Sequence, residues 1–371
     1  MLYKCVRCGW RAPESPLYWS CPRCGGILEL EYEKSATLPD ARELLKCRMG
    51  VWCFKHQLPR FGLYPTLGEG FTPVLEVVVE GRRVALKLEN LNPTGSFKDR
   101  GTPVAIASAL KSGYKILCED SSGNAGISTS CYARAYGLEP VIAVPKGISR
   151  GKLDVLSLCG AKILFGENRE DARRRAVELW RSGSVLYIPH THMPHHVEGM
   201  KTLAYEIFYQ LSDMPTHVFV PTSSGSGLLG LYLGFKELKE WGYIDRIPKL
   251  IAVQSAHVFP LYRALKNRDP PIVESESLAD GLALKSPPRL ELMLKAIVDS
   301  KGDVVTVTNN MIRKHLKLLA LRGILVEPTS AAGLAGFEAY VSASGEEPGS
   351  PLVVVTGSGL KLASTILELM P

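Results

Sequence analysis

Short apolar runs alternate with longer amphipathic stretches along this chain from Val84 onward. The runs have the length and β-branched content of strands, and the stretches repeat apolar residues with the helical period. Regular alternation of the two predicts crossover units, so the fold class is α/β with parallel sheets. The predicted strands are residues 84–88, 116–118, 141–144, 162–165, 185–188, 217–220, 250–253, 304–307 and 352–355. The predicted helices are residues 102–112, 125–136, 171–181, 203–211, 228–241, 311–321 and 331–341.

Length and composition are those of a globular protein of more than one domain. The 371 residues, 46% hydrophobic and 22% charged, are enough for two domains and a small appendage. Lysine and arginine exceed aspartate and glutamate by 44 to 37, and the net charge of +7 suits an anionic substrate. The chain has no long basic run of the kind that binds nucleic acid. It also has no apolar stretch long enough to span a membrane and no apolar signal region at the N-terminus. We therefore expect a cytoplasmic protein.

Four of the nine cysteines form two Cys-x-x-Cys pairs near the N-terminus, each followed by glycine. Two residues between thiolates let one tight turn aim both sulfurs at a single ion, and two such turns complete a tetrahedral zinc site. Residues 1–32 are therefore predicted as a zinc ribbon whose Zn²⁺ is structural and supplies folding energy. Redox pairs or chance spacing are the alternatives. The predicted ligands are Cys5, Cys8, Cys21 and Cys24.

The other cysteines lack the spacing of metal ligands. A cytoplasmic location argues against a disulfide framework. They are therefore predicted to be buried small side chains with free thiols. These residues are Cys47, Cys53, Cys118, Cys131 and Cys159.

Three predicted strand ends are rich in glycine and hydroxyl residues, and in α/β folds ligands collect where strands end and helices begin. Residues 221–227, Pro-Thr-Ser-Ser-Gly-Ser-Gly, suit a phosphate but lack the lysine of an ATP-binding loop. Residues 121–126, Ser-Ser-Gly-Asn-Ala-Gly, suit a carboxylate, and Asn124 can donate to an aromatic oxygen. Thr356 ends the last strand, where a hydroxyl can meet a ring nitrogen without protonating it. Taken singly, the last two segments are more typical of a plain turn or helix cap.

Lys98 follows the turn-forming residues Asn-Pro-Thr-Gly at 92–95. A lysine held at the rim of a pocket in this way can form a Schiff base with an aldehyde cofactor. A solvated lysine after a turn is the alternative for any single lysine. The three strand ends described above fit the same cofactor, which favours the chemical interpretation.

The segment 92–100, Asn-Pro-Thr-Gly-Ser-Phe-Lys-Asp-Arg, resembles the Schiff-base motif of the pyridoxal-phosphate enzymes with a tryptophan-synthase-β-like fold, fold type II. Within this superfamily the chain most resembles the threonine synthases. Many prokaryotic relatives also carry an N-terminal cysteine ribbon. The resemblance runs in order from about residue 65 to 361. The supporting segments are residues 67–73, 121–126, 197–204, 327–332 and 356–361.

The resemblance implies a pyridoxal 5′-phosphate cofactor and a role for each motif. Lys98 is expected to bind the cofactor aldehyde and to move the substrate's proton. Asn124 is expected at the ring oxygen and Thr356 at the pyridine nitrogen, an arrangement that favours rapid elimination. Ser121 and Ser122 are expected to hold the substrate carboxylate. The expected phosphate ligands are Ser223, Ser224, Gly225, Ser226 and Gly227.

The resemblance also implies two parallel-sheet α/β domains, and we expect a homodimer. The predicted divisions are the ribbon at 1–32, a connector and the start of the larger domain at 33–98, the smaller domain at 99–190, and the remaining larger domain with the phosphate loop at 191–371. The expected partner is a small amino-acid substrate, with neither nucleic acid nor membrane.

The substrate end departs from the threonine synthase pattern. Those enzymes typically grip the phosphate of O-phosphohomoserine with Asn, Ser and Arg, where this chain has His-Thr-His-Met-Pro-His-His at 190–196. His196 stands at the arginine position, and Phe71 and Ser224 each replace an asparagine. Histidines can bind phosphate, more weakly than a bidentate arginine, or a metal ion. A plain histidine-rich loop at the active site is favoured over either special role. Arg100, Arg150 and Lys152 remain as cations for a phosphorylated substrate, and Arg150 is the one predicted to bind it.

Three functions stay open on the sequence. The favoured one is threonine synthase, which converts O-phospho-L-homoserine and water to L-threonine and phosphate. The second is a threonine/serine dehydratase, or a β-replacing synthase of the cysteine or cysteate type. The third is a non-catalytic protein whose ribbon binds nucleic acid, which the presence of Lys98 together with all three cofactor loops disfavours.

Overall fold

A computed structural model describes residues 1–369, so the last two residues of the predicted domain 191–371 lie outside the described range. The strands are β1 Leu2–Cys5, β2 Arg11–Pro13, β3 Leu28–Glu31, β4 Val74–Val79, β5 Arg82–Lys87, β6 Ile116–Glu119, β7 Glu139–Pro145, β8 Lys162–Gly166, β9 Leu186–Tyr187, β10 His217–Pro221, β11 Lys249–Ser255, β12 Asp303–Val307 and β13 Pro351–Val354. The helices are α1 Ala41–Lys46, α2 Thr102–Lys111, α3 Asn124–Ala135, α4 Arg150–Leu158, α5 Arg169–Arg181, α6 Pro194–Met200, α7 Thr202–Gln210, α8 Ser226–Glu240, α9 Pro260–Lys266, α10 Leu290–Asp299, α11 Asn309–Ala320, α12 Pro328–Ser344 and α13 Ala363–Leu369. None of these described helices is long and apolar enough to cross a membrane.

The chain forms two compact units. Unit 1 consists of Met1–Gly70, Asn92–Thr94 and Lys98–Thr202. Unit 2 consists of Phe71–Leu91, Gly95–Phe97 and the chain from Leu203 onward. These units differ from the predicted domains, because residues 33–70 and 191–202 belong to unit 1 rather than to the larger domain.

Unit 1 contains a parallel sheet in the order β8-β7-β6-β9 and an antiparallel sheet in the order β2-β1-β3. The antiparallel sheet lies within residues 1–32. Its inner side chains, including Tyr3 and Leu28, share one hydrophobic cluster with Ile106 and Leu117. The N-terminal segment is therefore part of the core of unit 1, not the separate appendage that the sequence predicts.

Packing explains why the other two segments also join unit 1. Trp52 and Leu58 are fully buried and pack with Val104 of α2. On α6, Gly199 lies directly against the backbone of Arg100, where an added Cβ atom would stand 2.0 Å from the carbonyl oxygen. Only glycine permits this approach, and it holds α6 against the start of α2.

Unit 2 contains a sheet in the order β12-β11-β10-β13-β5-β4, parallel except for the antiparallel edge strand β4. α12 is buried along most of its length against this sheet, and an added Cβ at Gly336 would stand 2.3 Å from a methyl group of Val253. Pro328 opens α12, and Gly345 ends it with a left-handed φ of 65°. The carboxyl ends of the central strands position the glycine-rich loops of unit 2.

The predicted strands are all present, with ends shifted by at most two residues, and the predicted helices with ends shifted by at most three. The prediction of free thiols is wrong for four cysteines. Cys47 forms a disulfide with Cys53, and Cys131 with Cys159. Each bond joins the end of a helix to a neighbouring element, so tertiary packing, which spacing does not report, brings the sulfurs together. Cys118 is a buried free thiol as predicted.

Candidate active site

Lys98 lies in a short 3₁₀ turn before α2 and is 8% exposed. The carboxylate of Asp99 holds this turn by accepting hydrogen bonds from the amide of Thr94 at 2.7 Å and from its hydroxyl at 2.5 Å. Burial raises the pKa of Asp99 to about 6 in spite of these bonds. The buried guanidinium of Arg100 donates to Oγ1 of Thr202 at 3.1 Å. These contacts fix the backbone at Lys98, as a chemically active lysine requires.

The predicted carboxylate loop lies at the carboxyl end of β6. This strand ends at Glu119 and α3 begins at Asn124, so Ser121 and Ser122 lie between a strand end and a helix N-terminus, where they are half-buried. An added Cβ at Gly126 would stand 1.9 Å from the carbonyl oxygen of Ser121, which makes glycine necessary there. Amide groups at a helix N-terminus favour an anion, so the loop can hold a carboxylate.

Two carboxyl groups that the sequence analysis does not single out, Glu119 and Asp120, stand directly before this loop. Glu119 is fully buried, and its Oε2 accepts a hydrogen bond from the amide of His190 at 3.0 Å. Nδ1 of His190 lies 3.0 Å from Oε1 of the same carboxyl group. Burial raises the pKa of Glu119 to about 7 and that of Asp120 to about 6, although the positive charge of Lys98 lowers the former. Adjacent acids at the end of an apolar strand are the sequence signal that could have identified them.

The histidine-rich segment 190–196 does not converge on one point. Nε2 of His192 lies 3.3 Å from a guanidinium nitrogen of Arg173, and the same ring stands edge-on to Trp19 with centroids 5.2 Å apart. His195 is fully buried, and its Nε2 lies 3.6 Å from Oε1 of Glu14. Within residues 1–369 these histidines do not gather in metal-binding geometry.

The two predicted substrate cations lie in opposite environments of unit 1. His196 is 1% exposed, and its carbonyl oxygen would stand 2.6 Å from a Cβ added at Gly101. Arg150 begins α4 with its side chain 89% exposed, and its Nε donates to Asp154 at 2.8 Å. Their substrate roles stay predictions.

The predicted phosphate loop joins β10 to α8 in unit 2. Gly225 caps α8 with a left-handed φ of 84°, which favours glycine. An added Cβ there would stand 2.3 Å from Sδ of Met293, and one at Gly227 would stand 3.0 Å from the ring of Phe97. The serines of the loop are Ser223, half-buried, and Ser224 and Ser226, both buried. Bare, close-packed backbone at the start of a 15-residue helix can hold a phosphate.

Thr356 follows β13 in unit 2, and a neighbouring hydroxyl group fixes it. Its Oγ1 lies 3.1 Å from Oγ of Ser330 on α12. Ser330 in turn donates to the carbonyl oxygen of Gly357 at 2.8 Å and accepts from its amide at 2.6 Å. The amide of Phe97, the residue before Lys98, donates to the carbonyl oxygen of Thr356 at 3.0 Å. Ser330 belongs to the segment 327–332 that supports the family resemblance, but the sequence does not predict its role beside Thr356.

We expect Ser330→Ala to lower both stability and turnover. The change leaves the buried amide of Gly357 without its acceptor, at a cost of about 1–3 kcal/mol, and lets the Thr356 hydroxyl rotate. Thermal unfolding and turnover measure the two effects. Ser342→Ala, at an exposed position of the same helix, is the matched control. Equal values for the two variants would contradict the positioning role.

The four predicted zinc ligands come together in unit 1, with their sulfur atoms all within 4.8 Å of one another. Gly9 and Gly25, which follow the two Cys-x-x-Cys pairs, have left-handed φ values of 69° and 70°. Their amides donate to the carbonyl oxygens of Cys5 and Cys21 at 3.0 and 2.8 Å. The two turns therefore share one geometry that glycine makes possible. Four converging thiols suit a tetrahedral zinc ion.

The chain belongs to the family described as pyridoxal-phosphate dependent enzymes, which it matches over residues 65–357. The matched region includes Lys98, the 121–126 loop, the 223–227 loop and Thr356. The family match confirms the pyridoxal-phosphate class predicted from the Lys98 motif.

The named relatives are threonine synthases. The chain is 31% identical to the threonine synthase of Methanocaldococcus jannaschii, over 97% of this chain and 93% of the relative. It is 32% identical to the threonine synthase of Mycobacterium bovis, over 82% of this chain and 86% of the relative. The similarity to the first relative spans nearly all of both chains.

Two solved structures with similar folds have titles that name enzymes of serine. Maize serine racemase is 20% identical with a TM-score of 0.69, over 80% of this chain and 91% of that one. An L-serine ammonia-lyase from Rhizomucor miehei is 24% identical with a TM-score of 0.68, over 80% and 96%. At these identities the structures confirm the α/β fold of the superfamily and nothing more specific.

Proposed function

We propose that this chain catalyses the threonine synthase reaction, in which O-phospho-L-homoserine and water give L-threonine and phosphate. The observation that carries the proposal is the similarity to threonine synthases over 97% of the chain. The fixed, mostly buried Lys98 supports it, because the reaction begins with removal of a proton from Cα by a positioned base.

The described residues fit pyridoxal 5′-phosphate. In unit 1, Lys98 would hold the cofactor aldehyde and Asn124 would donate to the ring oxygen. In unit 2, residues 223–227 would receive the phosphate, because they lie at the N-terminus of α8, where backbone amides favour an anion. Thr356, fixed by its neighbouring hydroxyl, would face the pyridine nitrogen. When bound, the cofactor withdraws electrons from the substrate's Cα.

The remaining groups of unit 1 would bind the substrate. Ser121 and Ser122 would hold the substrate carboxylate with help from the N-terminus of α3. His196 and Arg150 stay the proposed groups for the substrate phosphate. The contact between His192 and Arg173 adds cationic character to the histidine segment.

We also propose that the four ribbon cysteines bind one structural Zn²⁺, which the shared geometry of the two turns supports. The homodimer and the cytoplasmic location stay predictions. Neither is needed for the residue roles described above.

Two assays separate the proposed reaction from the dehydratase alternative. We expect release of phosphate from O-phosphohomoserine with formation of threonine, and slower formation of keto acids from L-threonine and L-serine. Lys98→Ala gives the background of both assays. If keto acids form and phosphate does not, the threonine synthase proposal is wrong and the dehydratase replaces it.

A further inference from the structure

An ion pair in unit 2 has no role in the function proposed above. Nζ of Lys361 lies 3.5 Å from Oε2 of Glu327, and the two side chains are only 9% and 8% exposed. Taking both charges out of water costs free energy, and apolar residues in the place of such a pair are often as stabilising or more so. Stability alone therefore does not explain why the chain has this pair.

The carboxylate of the pair lies beside the backbone that follows Thr356. A Cβ added at Gly357, the next residue, would stand 2.6 Å from Cδ and Oε1 of Glu327. The amide of Glu327 donates to the carbonyl oxygen of Gly357 at 3.1 Å, and its carbonyl oxygen accepts from the amide of Ser330 at 2.9 Å. Ser330 is the residue whose hydroxyl group fixes Thr356. A negative charge is therefore held next to the backbone that carries the hydroxyl group proposed to face the ring nitrogen.

The ammonium group of the pair is also fixed in position. Nζ of Lys361 donates to the carbonyl oxygen of Gly95 at 3.4 Å, and the amide of Ser358 donates to the same oxygen at 2.8 Å. Ser96 and Gly357 pair as an isolated antiparallel bridge, which keeps the two segments side by side. Lys361 therefore stays where its charge opposes that of the carboxylate.

The charge near the ring nitrogen affects what a bound cofactor can do. A hydroxyl group facing that nitrogen leaves it without a proton. A nearby carboxylate with no cation beside it would favour a positive, protonated ring, because little water screens a nearly buried charge. A protonated ring withdraws electrons more strongly, so negative charge would remain at the substrate's Cα instead of passing on to expel the leaving group.

We propose that Lys361 determines reaction specificity, because its ammonium group neutralises Glu327 and so keeps the ring nitrogen of bound pyridoxal phosphate unprotonated. This proposal rests on the proposed function through the role of Thr356. Neither charged group needs to touch the substrate or the cofactor, since charges act across several ångströms of packed protein. The proton that Glu327 alone would draw onto the nitrogen comes from solvent water. In return, Glu327 holds Lys361 against the carbonyl oxygen of Gly95.

Nitrogen NMR of pyridoxal phosphate labelled with ¹⁵N at the ring nitrogen reports the protonation of that atom directly. Wild-type holoenzyme at neutral pH is expected to show the chemical shift of an unprotonated pyridine. Lys361→Met removes the charge and keeps most of the side chain's length, and its ring nitrogen should move to the shift of a protonated pyridine. Lys361→Arg keeps the charge and should retain the wild-type shift.

A double variant separates the charge of Lys361 from its packing. Glu327→Gln combined with Lys361→Met removes both charges, so the ring nitrogen should return to the unprotonated shift. A local change in packing would persist in the double variant and would contradict the proposal. Lys317→Met, which removes an exposed lysine of the same unit, is the matched control and should behave as wild type.

The balance between two reactions gives a second readout. L-2-aminobutyrate has no leaving group, and exchange of its Cα hydrogen in D₂O is followed by proton NMR. The ratio of this exchange to phosphate release from O-phosphohomoserine should rise by about tenfold or more in Lys361→Met, the effect of one uncompensated charge several ångströms away. The ratio should return towards the wild-type value in the double variant. Loss of both activities in proportion would show that Lys361 only supports the fold.

Stability of the cofactor-free protein tests the pair without any catalysis. Lys361→Met leaves the nearly buried carboxylate of Glu327 without this cation, so the melting temperature should fall by about 5 °C or more. The double variant should recover most of that loss, because no buried charge is left without its counterpart. A double variant as unstable as Lys361→Met would show that the two charges are not coupled and would overturn the proposal.

Failure of the underlying function looks different from failure of this inference. A wild type that shows no visible absorbance with pyridoxal phosphate overturns the proposed function and the inference together. A wild type that absorbs but has a protonated ring nitrogen overturns the inference alone, and so does an unprotonated nitrogen in Lys361→Met.

Discussion

Replacing Lys98 by alanine is expected to abolish the visible absorbance of bound pyridoxal phosphate and to reduce turnover by about a thousandfold or more. The lysine is proposed both to attach the cofactor and to move the Cα proton, so one substitution removes two functions. Absorbance spectroscopy after incubation with pyridoxal phosphate measures the first effect, and release of phosphate from O-phosphohomoserine measures the second.

Two control variants test whether the loss belongs to this lysine. Lys98→Arg keeps a positive charge and cannot form the covalent bond, so it should lose turnover as Lys98→Ala does. Lys146→Ala removes an exposed lysine of the same unit and should behave as wild type. Lys98→Ala that keeps both absorbance and turnover would remove the central residue of the proposed function.

Cys8→Ser is expected to lower bound zinc from one ion per chain to a small fraction and to lower the melting temperature by about 10 °C, from roughly 2–4 °C per kcal/mol. The fall should be larger than for a typical surface change, because metal binding supplies folding energy to the ribbon. Elemental analysis of the purified chain and thermal unfolding with and without a chelator measure the two effects.

Cys118→Ala is the matched control, since it removes a buried thiol of unit 1 that lies outside the ribbon. This variant should keep one zinc ion per chain. Full zinc occupancy in Cys8→Ser would show that the ribbon assignment is wrong, even though the four sulfurs lie close together.

The sequence predicted those strands and loops whose own residues carry the signal. β10 is buried along its whole length, as parallel strands covered on both faces are, so its apolar run is readable in the sequence. The glycines at 225 and 227 marked a loop whose backbone the structure packs against Met293 and Phe97. β4 was not predicted. Its apolar residues do not show by themselves that it pairs with β5 as an edge strand, on which Val78 is exposed.

Contacts between distant residues could not be predicted in this way. Glu119 and His190 are 71 positions apart, and only the pairing of β6 with β9 brings the segment after β9 to the end of β6. The disulfide between Cys131 and Cys159 likewise depends on how α3 and α4 pack. Lys98 was identified because its whole motif is contiguous, whereas the substrate groups depend on tertiary structure.

The shared core of unit 1 has a consequence for how this chain folds as it is synthesised. The hydrophobic cluster that contains Tyr3 and Leu28 is completed by residues as late as Met193. The N-terminal segment of unit 1 is therefore made well before the segment that completes its packing, and contacts between residues so far apart in sequence form slowly. During that interval the N-terminal ribbon must keep its shape without its final packing partners, a task for which a bound metal ion is well suited.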